Sequence, residues 1–186
     1  MQNLLQYIST RCFVGTELRN RIKEDFEQIE TQNGSILLKQ DRCAGKLFFI
    51  DKGLVHNYYY HDGKQVSSWF YNENQFVTAW YSFYSQKPGF EMVECLEDCV
   101  LYAVSYEKFQ KLIADFPAFG NFARLLAEEA LAYLDYFSKS WSFLSAKDKY
   151  NLLQTHFPGI EQRVKLGLIA SFLGISQETL SRIRGK

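Results

Sequence analysis

The sequence has few prolines, histidines and cysteines and no excess of charge of either sign. Its 186 residues include three prolines, three histidines and four cysteines, and its formal net charge at pH 7 is zero. It contains no run of 18 apolar residues, so no transmembrane helix is expected. The segment Met1–Tyr7 lacks the charged-then-apolar order of a secretory signal. We therefore expect a cytoplasmic protein without membrane contact.

The scarcity of cysteine and histidine also argues against a metal centre. No two cysteines have CxxC spacing, and zinc or iron–sulfur sites use more clustered ligands. Cys95 and Cys99 flank a predicted turn and could lie close together, but reduced and mostly buried thiols are expected in the cytoplasm. There is no Ser-His-Asp spacing and no Gly-rich phosphate loop. We therefore expect neither an enzyme nor a bound cofactor.

Apolar residues and an uneven charge distribution are present instead. Hydrophobic residues make up 47% of the chain and aromatic residues 17%, which is enough for a sizeable core in one or two domains. Residues 163–186 carry five basic and one acidic side chain, whereas the rest of the chain carries 16 basic and 20 acidic ones. A cationic tail on an acidic body predicts a localised contact with a polyanion.

The middle of the chain has the alternating pattern of β-strands. Asp62-Gly63 within His61–Lys64 is typical of a β-hairpin turn, and Asp51–Gly53 and Glu97–Asp98 are interpreted as two further hairpin turns. Short, evenly spaced antiparallel strands predict a small barrel or jelly roll. Helices are predicted before it, from Leu4 and over Glu17–Phe26 with Thr16 as cap. The predicted strands are Ser35–Lys39, Lys46–Ile50, Leu54–Tyr60, Gln65–Tyr71, Phe90–Cys95 and Val100–Ser105.

After a short helix at Tyr106–Phe116, a long helix is predicted from Ala118 to about Phe143. Its apolar stripe is about 24 residues long, which corresponds to roughly 36 Å at 1.5 Å per residue. One small barrel is too short to cover such a stripe, whereas the same helix of a second copy would cover it. The alternative is that the helix packs only on its own barrel. The stripe consists of Phe119, Phe122, Leu126, Ala130, Tyr133, Phe137 and Trp141.

The last 24 residues, Arg163–Lys186, predict two short helices joined by a tight turn. Gly174 permits the positive φ of such a turn, and Ser176 can cap the second helix. Upstream, Ser145 can cap a further helix at Ala146–His156. The pattern is typical of a helix-turn-helix, whose second helix enters the DNA major groove. Small or apolar residues at fixed spacings carry the signal: Ile169, Ala170, Leu173, Ile175, Leu180 and Ile183.

This order of elements resembles the Crp/Fnr family of bacterial transcription regulators. Asp51–Val55, Asp62–Lys64 and Asn72–Phe76 are similar to the hairpin framework of the cyclic-nucleotide-binding fold. Leu101–Leu112 resembles its final strand and following helix, and Ile175–Arg184 closely resembles the recognition helix. The resemblance implies an α+β fold in which an antiparallel β-roll of the jelly-roll type, with flanking helices, precedes a long dimerisation helix and a helix-turn-helix domain.

The resemblance also implies domain boundaries and partners. A cyclic-nucleotide-binding-like sensor is expected over residues 1–117, a dimerisation helix over 118–144 and a helix-turn-helix domain over 145–186. The partners implied are a second copy of the chain, double-stranded DNA with inverted-repeat operators, RNA polymerase and an unidentified small-molecule effector. The family's two-stranded wing usually follows the recognition helix and is not part of this sequence, so its phosphate contacts are expected to be missing.

The stretch that corresponds to the family's phosphate-binding cassette, Val77–Glu94, departs from the family pattern. Cyclic-AMP-responsive members have Gly-Glu near its start for the ribose and an Arg near its end for the phosphate. Neither is present here, and Lys87 is the only cation. A buried cyclic phosphate without a compensating cation is costly, so we expect no ordinary response to cyclic AMP. Cys12 alone does not form the cysteine cluster of redox-sensing members, and His56 and His61 are expected at the surface or in turns rather than on haem.

The resemblance places Glu178, Ser181 and Arg182 at base-contacting positions, with Gln177 beside them. The chemistry agrees with this, because Arg can donate two hydrogen bonds to guanine, Glu can accept one from cytosine and Gln can pair with adenine. The alternative is that Glu178 and Arg182 form an ordinary i,i+4 surface pair.

Other polar residues of this region are expected to position the helix on DNA without reading its sequence. Ser176 begins the helix, and Thr179 contacts a phosphate or supports the cap. Three cations are expected to bind phosphates: Lys165, Arg184 and Lys186.

Aromatic residues crowd the part of the roll where the family binds its effector. They could line a pocket for a flat or apolar ligand, or they could fill the cavity that a nucleotide would occupy. In an alternative function, the roll senses a small molecule and the C-terminal helices mediate protein contacts rather than DNA binding. The six aromatic residues are Trp69, Phe70, Trp80, Tyr81, Phe83 and Tyr84.

Overall fold

In the computed structural model, which describes residues 1–185, eight strands form two four-stranded antiparallel sheets. The strands are β1 (Glu27–Thr31), β2 (Ile36–Leu38), β3 (Lys46–Lys52), β4 (Val55–His61), β5 (Lys64–Tyr71), β6 (Phe76–Val77), β7 (Met92–Cys95) and β8 (Cys99–Ser105). One sheet has the order β1-β8-β3-β6 and the other has the order β2-β7-β4-β5. The antiparallel β-roll predicted from the sequence is therefore confirmed.

The turns of the roll were predicted with mixed success. Asp62 and Gly63 both have positive φ, 49° and 73°, and join β4 to β5 in the hairpin that was expected. The other two hairpin predictions were wrong, because Asp51–Gly53 and Glu97–Asp98 carry the chain from one sheet to the other. Turn-forming residues indicate where the chain changes direction. They do not indicate which strand the next one pairs with, because that depends on how the two sheets close into a roll. Two strands, β1 and β6, were not predicted.

Nine helices lie in residues 1–185. They are α1 (Gln2–Ser9), α2 (Thr16–Asp25), α3 (Trp80–Ser85), α4 (Tyr106–Asp115), α5 (Pro117–Ser140), α6 (Ala146–His156), α7 (Ile160–Arg163), α8 (Leu166–Leu173) and α9 (Gln177–Arg184). Ser145 caps α6 as expected, since its Oγ accepts a hydrogen bond from the Asp148 backbone N–H at 3.2 Å. Thr16 is not a cap, because the N-cap of α2 is Gly15 and Thr16 is already helical. The helices α3 and α7 were not predicted.

The main core lies between the sheets, α1, α2, α4 and the first half of α5. Aromatic rings dominate it and pack mostly edge-to-face or tilted, the arrangement that their quadrupoles favour. The four cysteines are free thiols. Cys95 and Cys99 are buried, Cys12 is half-buried and Cys43 is exposed, so two of the four thiols are buried as expected. Buried aromatic side chains of this core include Phe49, Phe76, Phe83, Phe109, Phe119 and Phe122.

A second core joins α6–α9 to the outside of the roll. It contains Leu54 and Phe70 from the roll together with Leu153, Ile169 and Leu173 from the C-terminal helices. The C-terminal helices therefore pack against the sheet that contains β4 and β5, and this packing fixes where α9 lies relative to the roll.

Candidate nucleic-acid interface

The helices α8 and α9 are joined by the tight turn that the sequence predicts. Gly174 has φ +69°, in the left-handed region that favours glycine. The Ile175 backbone N–H donates to the Ala170 carbonyl at 3.0 Å, and Ala170 is buried where the chain turns back. The Ser176 Oγ accepts from the Thr179 N–H at 3.2 Å and so caps α9. These local interactions hold the two helices in a helix-turn-helix arrangement.

One side of α9 is fixed in the protein and the other faces solvent. Leu180 is fully buried, while Gln177, Glu178, Ser181 and Arg182 are exposed. The exposed side therefore presents amide, carboxylate, hydroxyl and guanidinium groups within two helical turns. These are the groups that can form hydrogen bonds with base edges in a major groove.

The polar residues of α9 also interact with one another. The Arg182 Nη2 donates to the Thr179 Oγ1 at 3.2 Å, so Thr179 supports both the cap and the guanidinium. Hydrogen bonding from Ser176 and the backbone at the start of the helix holds the pKa of the Glu178 carboxyl below its ordinary value. Glu178 is therefore a good acceptor at neutral pH, and Arg182 is oriented along the exposed side.

The expected phosphate-binding cations have different surroundings. Lys165 is exposed and immediately precedes α8. Arg184 is paired through its Nε with the Glu161 Oε1, which also accepts a hydrogen bond from the Tyr150 hydroxyl at 2.6 Å. Arg184 is therefore held by its own domain in this structure. Lys186 lies outside the described residues.

The six aromatic residues assigned to an effector pocket do not lie together. Trp69 packs edge-to-face on Phe137 with ring centroids 4.5 Å apart, and Phe70 packs on Phe172 at 5.5 Å. Both therefore lie at the junction of the roll with the later helices. Phe83 is fully buried in the main core, where it packs on Tyr106 and Phe109.

The remaining three of these aromatic residues lie within α3. The Trp80 indole N–H donates to the Tyr71 hydroxyl at 3.1 Å, and its ring stacks on Tyr84 at 6.1 Å. Tyr81 and Tyr84 are largely exposed. Phe70 and Phe83 are buried whereas Tyr81 and Tyr84 are exposed, so the six residues do not share one environment.

The long helix α5 has two apolar faces rather than one. The chain itself covers part of the stripe identified in the sequence, because Phe122 packs in the main core, Phe137 contacts Trp69, and Trp141 contacts Phe172 at 5.1 Å. Tyr133 of the same stripe is 52% exposed. The pairing of this stripe with a second copy stays a prediction. A neighbouring face is also open, with Leu131 67% exposed and Leu134 59% exposed.

His56 was expected in a surface or turn position, and that expectation was wrong. Its side chain is fully buried and stacks between Tyr58 and Phe70 at 5.1 and 4.9 Å. Neither ring nitrogen has a hydrogen-bond partner among the described residues. Burial lowers the pKa of His56 to about 4, so the ring is neutral at physiological pH. His61 lies at the end of the β4–β5 hairpin, as expected of a turn residue.

The contacts between roll and C-terminal helices were missed by the sequence interpretation. Arg163, counted there only as one basic residue of a cationic tail, is bonded to Glu73 and Glu97 on the roll. Ser171 of α8 is bonded to the backbone of β5. No local pattern identifies such pairs, because the partners lie 66 to 106 residues apart in the chain.

Comparison with known proteins agrees with this architecture. Residues 28–116 match the family model described as the cyclic nucleotide-binding domain. No curated protein sequence matches the chain significantly. Within the described residues, no helix is long and apolar enough to cross a membrane.

Solved structures match over most of the chain. The c-di-GMP responsive global regulator CLP of Xanthomonas campestris has a TM-score of 0.71 at 16% identity, covering 92% of this chain and 90% of that one. A protein described as a transcriptional regulator of the crp/fnr family from Eubacterium rectale has a TM-score of 0.70 at 16% identity, covering 91% and 81%. The catabolite activator protein of Thermus thermophilus has a TM-score of 0.59 at 20% identity, covering 92% and 83%.

The resemblance predicted from the sequence is thus confirmed: residues 28–116 correspond to a cyclic nucleotide-binding domain, and the chain has the fold of the Crp/Fnr transcriptional regulators.

Proposed function

We propose that the chain is a transcriptional regulator that binds inverted-repeat operators as a homodimer through the recognition helix 176–184. The observation that carries the proposal is the exposed polar side of α9, which is held in a helix-turn-helix while Leu180 anchors the opposite side. Arg182 would donate to guanine O6 and N7, Glu178 would accept from cytosine N4, and Gln177 would pair with adenine. Ser181 lies on the same exposed side and adds a hydroxyl.

Phosphate contacts would come from residues outside the exposed polar side of α9. Lys165 is exposed at the start of α8, where it can approach the DNA backbone without contacting a base. The cap residues Ser176 and Thr179 hold the first turn of α9, where backbone N–H groups also favour an anion. Arg184 would contact a phosphate only after leaving Glu161.

The proposed dimer interface is the open face of α5. Ala127, Leu131, Leu134 and Ser138 recur at steps of four, three and four, which is the spacing of a heptad seam between two helices. Exposed leucines on a helix are costly in water and are buried when two copies pair. A symmetric pair would present two recognition helices, which an inverted repeat with half-sites about 34 Å apart would match. Contact with RNA polymerase is part of the same proposal.

The roll is proposed not to bind cyclic AMP in the ordinary way. Lys87, the only cation of Val77–Glu94, is exposed in a loop, and Phe83 of the same stretch fills the core. Glu91 places a carboxyl group there, with its Oε1 accepting from the Ser68 hydroxyl at 3.0 Å. A cyclic phosphate would find no buried cation there but an acidic side chain, whose pKa is raised by burial, so its charge would remain uncompensated. If an effector exists, its chemistry differs from that of a cyclic nucleotide phosphate.

Selection of bound duplexes from a random DNA pool tests the proposal. The expected result is an enriched inverted repeat with half-sites separated by about one helical turn. Binding to the selected duplex should weaken steeply with salt, because released counterions drive the interaction. No enrichment, together with a salt slope near zero, would contradict DNA binding and favour the alternative, in which the C-terminal helices mediate protein contacts.

A further inference from the structure

The junction between α8 and β5 closes an open sheet edge. The strand β5 is the last in the order β2-β7-β4-β5, so one side of its backbone has no strand partner. The Ser67 backbone N–H donates to the Ser171 Oγ at 3.1 Å, and the Ser171 hydroxyl donates to the Gln65 carbonyl at 3.0 Å. One serine of the helix-turn-helix therefore satisfies both a donor and an acceptor of the edge strand.

Arg163 joins the same two parts of the molecule through its guanidinium. Its Nη1 and Nη2 donate to the two Glu73 carboxylate oxygens at 2.9 and 2.7 Å. Its Nε and Nη2 donate to the two Glu97 oxygens at 2.8 and 2.7 Å. Such bidentate, charge-assisted bonds fix direction as well as distance. The Glu73 carboxylate is itself held, since its Oε1 also accepts from the Gly53 N–H at 3.0 Å.

This docking leaves the exposed polar side of α9 facing solvent. Gln177, Glu178, Ser181 and Arg182 are exposed in the docked arrangement, and so is Lys165. The residues that docking engages, Arg163, Ser171 and Phe172, lie elsewhere on the domain. The docked arrangement therefore presents the recognition helix instead of covering it.

Without this docking, only a short irregular segment would hold the domain. The segment 141–145 separates α5 from α6 and contains no regular helix or strand. A domain on such a connection samples many orientations, and binding both half-sites of an operator at once would then require ordering two domains. A domain that is already fixed on the roll does not lose this orientational freedom when it binds DNA.

We propose that Arg163 is a positioning residue, which with Glu73 and Glu97 holds the helix-turn-helix on the roll so that two recognition helices are preset for one half-site spacing. The proposal rests on the proposed function, because it assigns a role in DNA binding to a residue that does not contact DNA. Arg163 acts through the position of α9, and its loss should weaken binding to a complete operator more than binding to a single half-site.

Substituting either Arg163 or its two glutamate partners distinguishes a positioning role from a direct contact between Arg163 and a DNA phosphate. If Arg163 contacted a phosphate, Arg163→Ala would weaken DNA binding and reduce the salt slope by about two, one for each protomer of the proposed dimer, while Glu73→Gln and Glu97→Gln would strengthen binding by removing negative charge. If Arg163 positions the domain, all three substitutions weaken binding to the complete operator and leave the salt slope unchanged. The carboxylate variants thus have opposite expected signs under the two explanations.

The experiment compares these three variants with the full-length protein and with Lys139→Ala, a control that removes a cation paired with Asp135 on the polar side of α5. Affinity is measured by fluorescence anisotropy on the selected operator, on one half-site, and on operators with one or two base pairs added between half-sites. We expect about a tenfold loss on the complete operator, no change on the half-site, and a smaller penalty for altered spacing than in the unchanged protein. Equal losses on half-site and complete operator, or tighter binding by the glutamine variants, would overturn the proposal.

A DNA-independent measurement keeps the two proposals distinguishable. The Ser67 amide donates to Ser171 across the junction, so its hydrogen exchange reports docking. Exchange should accelerate about tenfold in Arg163→Ala and remain unchanged in Lys139→Ala. Unchanged Ser67 exchange in Arg163→Ala would overturn the positioning role even if DNA binding is intact. Faster exchange without DNA binding by any of the proteins would instead contradict the proposed function.

Discussion

At the scale of single residues, the cations near the C-terminus have different partners. We therefore expect them to have different roles. Arg163 is bonded to the roll and Arg184 to Glu161, whereas Lys165 and Arg182 are exposed. A basic tail counted from the sequence therefore overstates the charge available to a polyanion. Among the described cations of this region, Lys165 and Arg182 could contact DNA in the proposed complex without first breaking the ion pairs that hold Arg163 and Arg184.

Arg182→Ala and Lys165→Ala are predicted to have different effects. Loss of Arg182 should cost about 1–3 kcal/mol at one base pair and relax selectivity there, because a bidentate donor to guanine is removed. Loss of Lys165 should weaken all duplexes alike and reduce the salt slope by about two, one for each protomer of the proposed dimer. Competition binding on single-base operator variants measures both. Unchanged selectivity in Arg182→Ala would remove the base-contact assignment.

His56 is predicted to make stability depend on pH. Its pKa is about 4 in the folded protein and 6.5 in the unfolded chain, so the unfolded state binds the extra proton between these values. Stability is therefore full above pH 6.5 and falls as the pH decreases towards 4, by about 2 kcal/mol between pH 7 and pH 5. Tyr58 and Phe70 stack on the ring, and Glu94 lies opposite on β7.

Urea unfolding at pH 7 and pH 5 measures this contribution. In His56→Phe, which keeps a flat ring between Tyr58 and Phe70, most of the loss between the two pH values should disappear. The matched control is His61→Asn at the exposed hairpin, which should behave like the unchanged protein. Equal losses in His56→Phe and the unchanged protein would contradict the assignment.

At the scale of elements, α5 combines two roles on adjacent faces. The face containing Phe122, Phe137 and Trp141 packs within its own chain, first on the roll and then beside α8. The face containing Leu131 and Leu134 remains open. Spacing alone does not distinguish two neighbouring apolar faces, since both satisfy the helical period. The structure separates them because it shows which face the chain covers.

A double substitution, Leu131→Glu with Leu134→Glu, is predicted to abolish the proposed dimer. Two like charges would face their counterparts across the seam, where they could be neither solvated nor paired. Sedimentation velocity should show a monomer, and binding to the complete operator should fall towards that of one half-site. Lys139→Glu, on the polar side of the same helix, should remain dimeric. A dimer that survives the double substitution would exclude this face.

Elements with clear end signals were predicted from the sequence almost to the residue. Gly174, Ser145 and Ser176 supply caps and a left-handed turn, whose geometry depends on a few neighbouring residues. The strand β1 was missed because Glu27–Thr31 has a mostly polar pattern and is defined by pairing with β8, about seventy residues later. Very short elements such as β6 and α7 lack enough residues to show a period.

At the scale of the whole molecule, the helix-turn-helix arrangement of α8 and α9 was predictable from the sequence, whereas its attachment to the roll was not. The exposed polar side of α9 follows from the local helix-turn-helix pattern. The docking of that motif depends on Arg163 and Ser171 meeting Glu73, Glu97 and β5, all of them far away in the chain. Such pairings follow from how the sheets curve and where the helices pack, which no window of sequence contains.

Isothermal titration with cyclic AMP is predicted to show no binding in the micromolar range. Within Val77–Glu94 the phosphate would lack a buried cation and would approach Glu91. A thermal-shift screen of small aromatic and nucleotide ligands should be run alongside, because a hit other than cyclic AMP would identify the class of effector. Micromolar cyclic AMP binding would show that the cassette tolerates a phosphate without an arginine.

The pairing of β1 with β8 has a consequence for how the protein is made. Glu27 lies opposite Ala103, so the sheet cannot close until about a hundred residues have left the ribosome. The β4–β5 hairpin, with its two-residue turn, can form within microseconds, whereas joining the two ends of the roll requires a long loop to close. Refolding should therefore be slow for a chain of this size. During synthesis, the nascent roll would need protection from aggregation until its eighth strand emerges.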